Sequence, residues 1–112
     1  MSWTIAARSG GGLGVSLYAS AKGAIEALSR SLAREEAQYG VRVNCVAPGY
    51  IDTPIHQVTS AEQLKRYLDA TPLGRAGVAA DCVGAFLFLA CERLSGFITG
   101  QTIGVNGGMH MV

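Results

Sequence analysis

Between residues 17 and 38 apolar side chains recur at helical spacing: Ala21, Ile25, Leu28 and Leu32 lie three or four positions apart, with polar residues between them. Gly40 follows where a helix would be capped, so the pattern predicts a long helix over 17–38. Its many small residues (Ala19, Ala21, Gly23, Ala24, Ala27) would let another helix approach closely along a packing face. Residues 41–47 are rich in β-branched side chains and predict a strand cut off by Pro48-Gly49. Helix followed by strand implies a parallel α/β arrangement, and ligands of such sheets bind at the break where the strand ends. Ser60 and Gln63 have capping-box spacing, which predicts a short amphipathic helix over 61–70, stopped by Pro72 and followed by a turn at Leu73-Gly74-Arg75. Residues 78–91 are apolar nearly all round and predict a helix buried on more than one side, while 100–105 predict a closing strand. At the start of the chain, 3–7 predict a short strand, followed by a loop with glycines at 10, 11, 12 and 14.

Composition sharpens this picture. The chain has 112 residues, 49% apolar and 15% charged, and a mean hydropathy of +0.28. That length allows one domain at most. So apolar a surface on so small a chain implies burial against something else, because small domains need a polar coat. A net charge of +1, with basic residues scattered, offers no stripe for phosphate backbones and excludes nucleic acid as a partner. Cys45, Cys82 and Cys91 are an odd count without paired spacing, which implies reduced thiols. The first residues lack a basic stretch followed by an apolar one, so a cytoplasmic location is expected. The most apolar run, 83–91, is too short to span a bilayer. His56 and His110 stand at no metal-ligand spacing, nor do Cys82 and Cys91, so no metal site is expected. His56 reads as a loop residue, and Met109 and Met111 as packing at a C-terminal interface.

The chemistry begins with Tyr18 and Lys22. Four residues apart on a helix, they share a face and lie about 6 Å apart along its axis. A free phenol, with a pKa of about 10, is only about 0.1% ionised at neutral pH, and a neighbouring ammonium favours the phenolate. A tyrosine so placed can serve as a general acid or base.

Further motifs join this pair. Tyr18-Ala19-Ser20-Ala21-Lys22 opens a small-residue helix and is followed by Arg42-Val43-Asn44, Pro48-Gly49 and Thr71-Pro72-Leu73-Gly74-Arg75. Then come Phe86-Leu87-Phe88-Leu89-Ala90, Ile98-Thr99-Gly100-Gln101 and Val105-Asn106-Gly107-Gly108. In order and spacing, over nearly the whole chain, this resembles the C-terminal half of the short-chain dehydrogenase/reductase family. The resemblance implies an α/β fold: residues 1–112 as the C-terminal portion of one Rossmann-like, doubly wound parallel-sheet domain, without its N-terminal nucleotide-binding half. It implies an oxidoreductase using NAD or NADP on a small-molecule carbonyl or secondary alcohol. Tyr18 would exchange the proton at the substrate oxygen, and Lys22 would favour its phenolate and bind the nicotinamide ribose. Pro48, Gly49 and the backbone at Ile51 would line the nicotinamide, with the Thr53 hydroxyl near its carboxamide or the phosphates. Homo-oligomers would form through the 17–38 helix and the C-terminal helix and strand.

The chain also departs from the family's pattern. A serine that polarises the substrate carbonyl has no counterpart at the matching position, Ile5; a glycine loop one residue longer would bring Thr4 there, and a Thr hydroxyl has the same hydrogen-bonding capacity. Ser9 and Ser16 are alternatives, Ser16 reading rather as a helix-entry cap. Ala21 stands where relatives often have serine. The glycine loop is not a dinucleotide fingerprint, because Val15 or Leu17 fills the last glycine position and no acidic residue closes a second strand about twenty positions on; it reads as substrate-side. The isolated chain is expected to be oligomeric or aggregation-prone and nearly inactive. A second reading is a non-catalytic remnant or oligomerisation module of the same fold.

Overall fold

The long helix of the computed structural model, which describes residues 13–54 and 59–111, is α1, Ser16–Glu35. Its end tightens into a 3-10 turn over Glu36–Tyr39, and Gly40 closes it in the left-handed conformation at φ 72°, its N–H bonded to the Ala37 carbonyl at 3.0 Å. A residue with a Cβ would be strained there. The entry differs from expectation: Val15 occupies the N-cap and Ser16 is the first helical residue, so Ser16 caps nothing. Strand 3–7, glycines 10–12, Thr4, Ser9 and His56 lie outside the described residues.

The sheet among the described residues consists of β1, Cys45–Pro48, and β2, Thr102–Val105. They pair in parallel, from Cys45 opposite Thr102 to Pro48 opposite Val105. β1 is therefore shorter than the expected 41–47 strand, because the preceding backbone bonds elsewhere. The Val43 N–H donates to Thr99 Oγ1 (3.0 Å) and its carbonyl accepts from the Gly100 N–H (2.7 Å). The Asn44 side chain donates to the Ile98 carbonyl (2.9 Å) and accepts from the Gln101 N–H (3.0 Å). Pro48 is tolerated as the last strand residue, where a missing N–H costs least.

Helix α2, Ala61–Asp69, has the capping box expected: the Gln63 N–H donates to Ser60 Oγ at 3.2 Å and the Ser60 N–H to Gln63 Oε1 at 3.1 Å. A turn follows, with the Gly74 N–H on the Thr71 carbonyl at 2.8 Å. Helix α3, Ala79–Ala90, and the short α4, Glu92–Ser95, lead back to β2. The expectation that α3 is buried on more than one side is corrected: Val83, Phe86 and Leu87 are 51%, 47% and 64% exposed. One side of α3 lies against the sheet, and the other is a bare apolar face.

Packing also corrects the predicted stripe on α1. Leu28 is half exposed and Ala21 exposed, whereas Ser29 and Ala33 are buried. Ser29 Oγ lies 3.0 Å from Cys45 Sγ, and Ile25 packs against Cys45 and Ala47. Small side chains line this face because the helix approaches the strand backbone closely. All three cysteines are unbridged.

Arg42 ties the sheet to α3 and α4. Its guanidinium donates to the carbonyls of Ser95 (3.0 Å) and Leu89 (3.0 Å) and to Ser95 Oγ (3.2 Å). A cation at carbonyls that close a helix is favourably placed against the helix dipole. Arg42→Met strands several partly buried carbonyls and should cost about 2–3 kcal/mol in urea denaturation; a loss below about 0.5 kcal/mol would show that these bonds contribute little.

Candidate active site at the carboxyl end of β1

The packing of α1 sets the position of its first turns. Ala33 Cβ lies beside Gly100, just before β2, Ser29 touches Cys45, and Ile25 reaches Cys45 and Ala47. The helix thus runs antiparallel to the strands. From Ser29 back to Lys22 is about 10 Å of helix rise, and from Cys45 on to Gly49 about 13 Å of strand. Lys22 comes level with Pro48 and Gly49, and Tyr18 lies about 6 Å further along the axis. Lys22 Nζ stands 5.6 Å from the centroid of the Tyr18 ring, within cation–π range. Tyr18 is 48% exposed, and the ligands of α/β proteins bind at the carboxyl ends of the strands.

The segment after β1 is held rigidly. The Gly49 N–H donates to the Val105 carbonyl at 3.0 Å. A Cβ on Gly49 would come within 2.8 Å of Asn106 Cα, backbone that cannot yield, so glycine is required there. Ile51 forms a parallel bridge with Gly77. The Asp52 N–H donates to the Gly77 carbonyl (2.8 Å), and the Gly77 N–H to the Tyr50 carbonyl (2.9 Å). Thr53 is partly buried just beyond. Pro48, Gly49, Ile51 and Thr53 follow one another at the carboxyl end of β1, and the helix rise brings Lys22 level with Pro48 and Gly49; Thr4 lies outside the described residues.

A cavity of ≈ 340 Å³, lined in part by Ile51, Arg75, Asp81 and Asn106, adjoins this segment without including Tyr18 or Lys22. At its edge Arg75 forms a two-pronged ion pair with Asp81, Nη1 to Oδ2 at 2.8 Å and Nη2 to Oδ1 at 2.9 Å. Asp81 also accepts the Val78 N–H at 2.7 Å, fixing the start of α3. The bond from Arg75 and then that from Val78 lower the Asp81 pKa from 3.8 to about 2. Burial pushes the Cys82 thiol up. This pair was not foreseen in the sequence; an aspartate at the third position of α3 was its signal. Among the described residues no group of three or more His, Cys, Asp or Glu could hold a metal ion. No described helix is long and apolar enough to cross a membrane.

Residues 1–110 match the family model described as enoyl-(acyl carrier protein) reductase. The chain is 45% identical over 102 residues to the 3-oxoacyl-[acyl-carrier-protein] reductase FabG of Salmonella typhimurium, covering 91% of this chain and 41% of that protein. It also superimposes on a crystal structure of a short-chain dehydrogenase/reductase of the glucose/ribitol dehydrogenase type from Brucella melitensis, with a TM-score of 0.89 and 34% identity, over 99% of this chain and 44% of that one. The chain belongs to the short-chain dehydrogenase/reductase family. A further structure, from Haemophilus influenza and holding bound NAD, superimposes with a TM-score of 0.88 and 28% identity, over 96% of this chain and 41% of that one.

The fold class is accordingly α/β, part of a Rossmann-like short-chain dehydrogenase/reductase domain. The chain spans about two-fifths of the length of the relatives it matches. Within this family segment the Arg75–Asp81 pair braces the loop that clamps Ile51, and its pH dependence follows from the Asp81 shift. With the folded pKa depressed, its stabilising contribution is present above 3.8 and is lost as pH falls through about 2. Asp81→Asn should lower the thermal midpoint at neutral pH, and the gap to the unaltered chain should close below about pH 2. A gap that persists unchanged into that acid range would contradict an ionised Asp81 as its cause.

Proposed function

We propose that this chain supplies the proton-transfer part of an NAD(P)-dependent oxidoreductase that interconverts a carbonyl and a secondary alcohol. The observation that carries this reading is the pair at the open end of the sheet, Tyr18 with the Lys22 ammonium 5.6 Å from its ring. Tyr18 is the general acid or base: its hydroxyl gives a proton to the substrate oxygen in reduction and takes it back in oxidation. Lys22 stabilises the phenolate that this leaves. NAD or NADP, when bound, supplies or accepts the hydride at the substrate carbon. The residues suit such a group: the Lys22 ammonium and the Tyr18 and Thr53 hydroxyls match ribose and carboxamide, and Pro48, Gly49 and Ile51 offer a fixed backbone wall. Thr4 is proposed as the hydroxyl that polarises the carbonyl. The domain is completed by an N-terminal nucleotide-binding half, and a cytoplasmic location fits this reading.

A joint observation supports self-association: Leu17 and Leu28 on α1, Val83, Phe86 and Leu87 on α3, and Phe97 are exposed. These faces belong to the elements proposed to form the homo-oligomer, and they favour equally the alternative of a non-catalytic assembly module. Catalysis separates the two. The chain is fused behind the part of the Salmonella reductase that it does not span and assayed for NADPH and NADH oxidation with a 3-oxoacyl thioester, the substrate type in that relative's name. Tyr18→Phe should lower kcat at least about 100-fold with circular dichroism unchanged; turnover like the unaltered fusion would overturn the assignment of Tyr18. Light scattering of the 112-residue chain should give a multiple of 11.6 kDa, reduced by Phe86→Glu. A monomer before substitution would contradict the self-association.

A further inference from the structure

Helix α2 leaves and rejoins the body at the same end of the sheet. Its entry follows Ile51 and Thr53, beyond the end of β1, and its exit meets the body at Leu73, whose N–H donates to the Gly107 carbonyl (3.0 Å) just after β2. α2 is therefore an excursion over the carboxyl ends of the strands, the end that carries Tyr18. None of its residues is buried, and its ion pairs, Lys65–Asp69 and Glu62–Arg66, lie on the helix surface. Among the described residues, an aromatic stack and a hydroxyl bond help root it. The Tyr67 ring stacks on Tyr50 at a centroid distance of 4.8 Å and an interplanar angle of 22°, and the buried Thr71 donates its hydroxyl to the Tyr67 carbonyl at 2.7 Å. Tyr50 itself lies between Gly49 and Ile51, and its carbonyl is held by the Gly77 N–H. One aromatic contact thus joins the excursion to the most rigid backbone of the site.

We infer that Tyr67 is a positioning residue: through its stack on Tyr50 it fixes α2 relative to the segment after β1 and so sets the wall past which substrate approaches Tyr18. This deepens the proposed function and rests on it. Leu64 and Leu68 of α2, with Tyr50 and Asp52, line a groove of ≈ 390 Å³ beside the stack. Stacked rings contribute beyond the area they bury, so one such contact can hold a short helix otherwise exposed.

Two measurements test it. In hydrogen exchange of the 112-residue chain, Tyr67→Ala and Tyr50→Ala should each speed exchange in α2 about fivefold, and the double variant no more than either alone, as a shared contact requires. Tyr67→Phe, which keeps the ring, should behave as the unaltered chain. Unchanged exchange in Tyr67→Ala, additive effects, or a Tyr67→Phe as damaging as Tyr67→Ala would overturn the inference. In the fusion assayed above, Tyr67→Ala should raise KM for the thioester about fivefold and leave kcat within about twofold, since the contact is made alike in ground and transition states. If Tyr18→Phe abolishes turnover while Tyr67→Ala leaves KM unchanged, the positioning role falls and the proposed function stands. If Tyr18→Phe retains turnover, the proposed function itself falls, and this inference with it.

Discussion

The close approach of α1 to β1 is the contact on which the other features depend. Ser29 against Cys45 and Ala33 against Gly100 are small side chains over a strand whose residues Cys45, Val46 and Ala47 are almost wholly buried. Together with Ile25 on Cys45 and Ala47, these close contacts set helix against strand in one register. Their relative register is fixed, and with it the level at which Lys22 and Tyr18 stand beside Pro48 and Gly49. A larger residue at 29 or 33 would lift the helix and move the pair away from the end of the strand. Apolar burial is thin here, since Val46 contributes only about 1.5–3 kcal/mol. The bonds from Arg42, together worth about 2–3 kcal/mol, are therefore as important as the core.

Much of this was legible, because local rules decide it. Gly40 closes α1, Ser60 and Gln63 cap α2, and helix followed by strand gives the parallel pairing, each through chemistry confined to a few neighbouring residues. What was misread depends on distant partners. Periodicity puts Leu28 on the buried stripe because it counts apolar residues, whereas the contact with β1 selects small ones. The strand lost its first residues because Val43 and Asn44 find partners at 98–101, more than fifty residues away. The Tyr50–Tyr67 stack and the Arg75–Asp81 pair follow from how loops fold back, which no spacing rule encodes. At the site, the Tyr18–Lys22 pair and the break at Pro48-Gly49 were readable as motifs, while their common level at one end of the sheet emerged only from packing.

The apolar excess of the composition now has an address. It lies on the outer faces of α1 and α3 and at Phe97, fully exposed, rather than in the small core. A chain that spans about two-fifths of its relatives exposes surfaces of this kind where a larger domain or a further subunit would cover them.

In the proposed function, Tyr18, Lys22 and the segment from Pro48 to Thr53 form one nicotinamide-facing surface. The most direct measurement is amide and side-chain NMR of the fusion titrated with NADH, with the nicotinamide ring protons saturated in turn. Transfer from those protons to the Tyr18 ring, and shift changes from this chain concentrated at Lys22 and residues 48–53, are the predicted result. Transfer to the turn at 106–108, with Tyr18 and residues 48–53 unmoved, would contradict it.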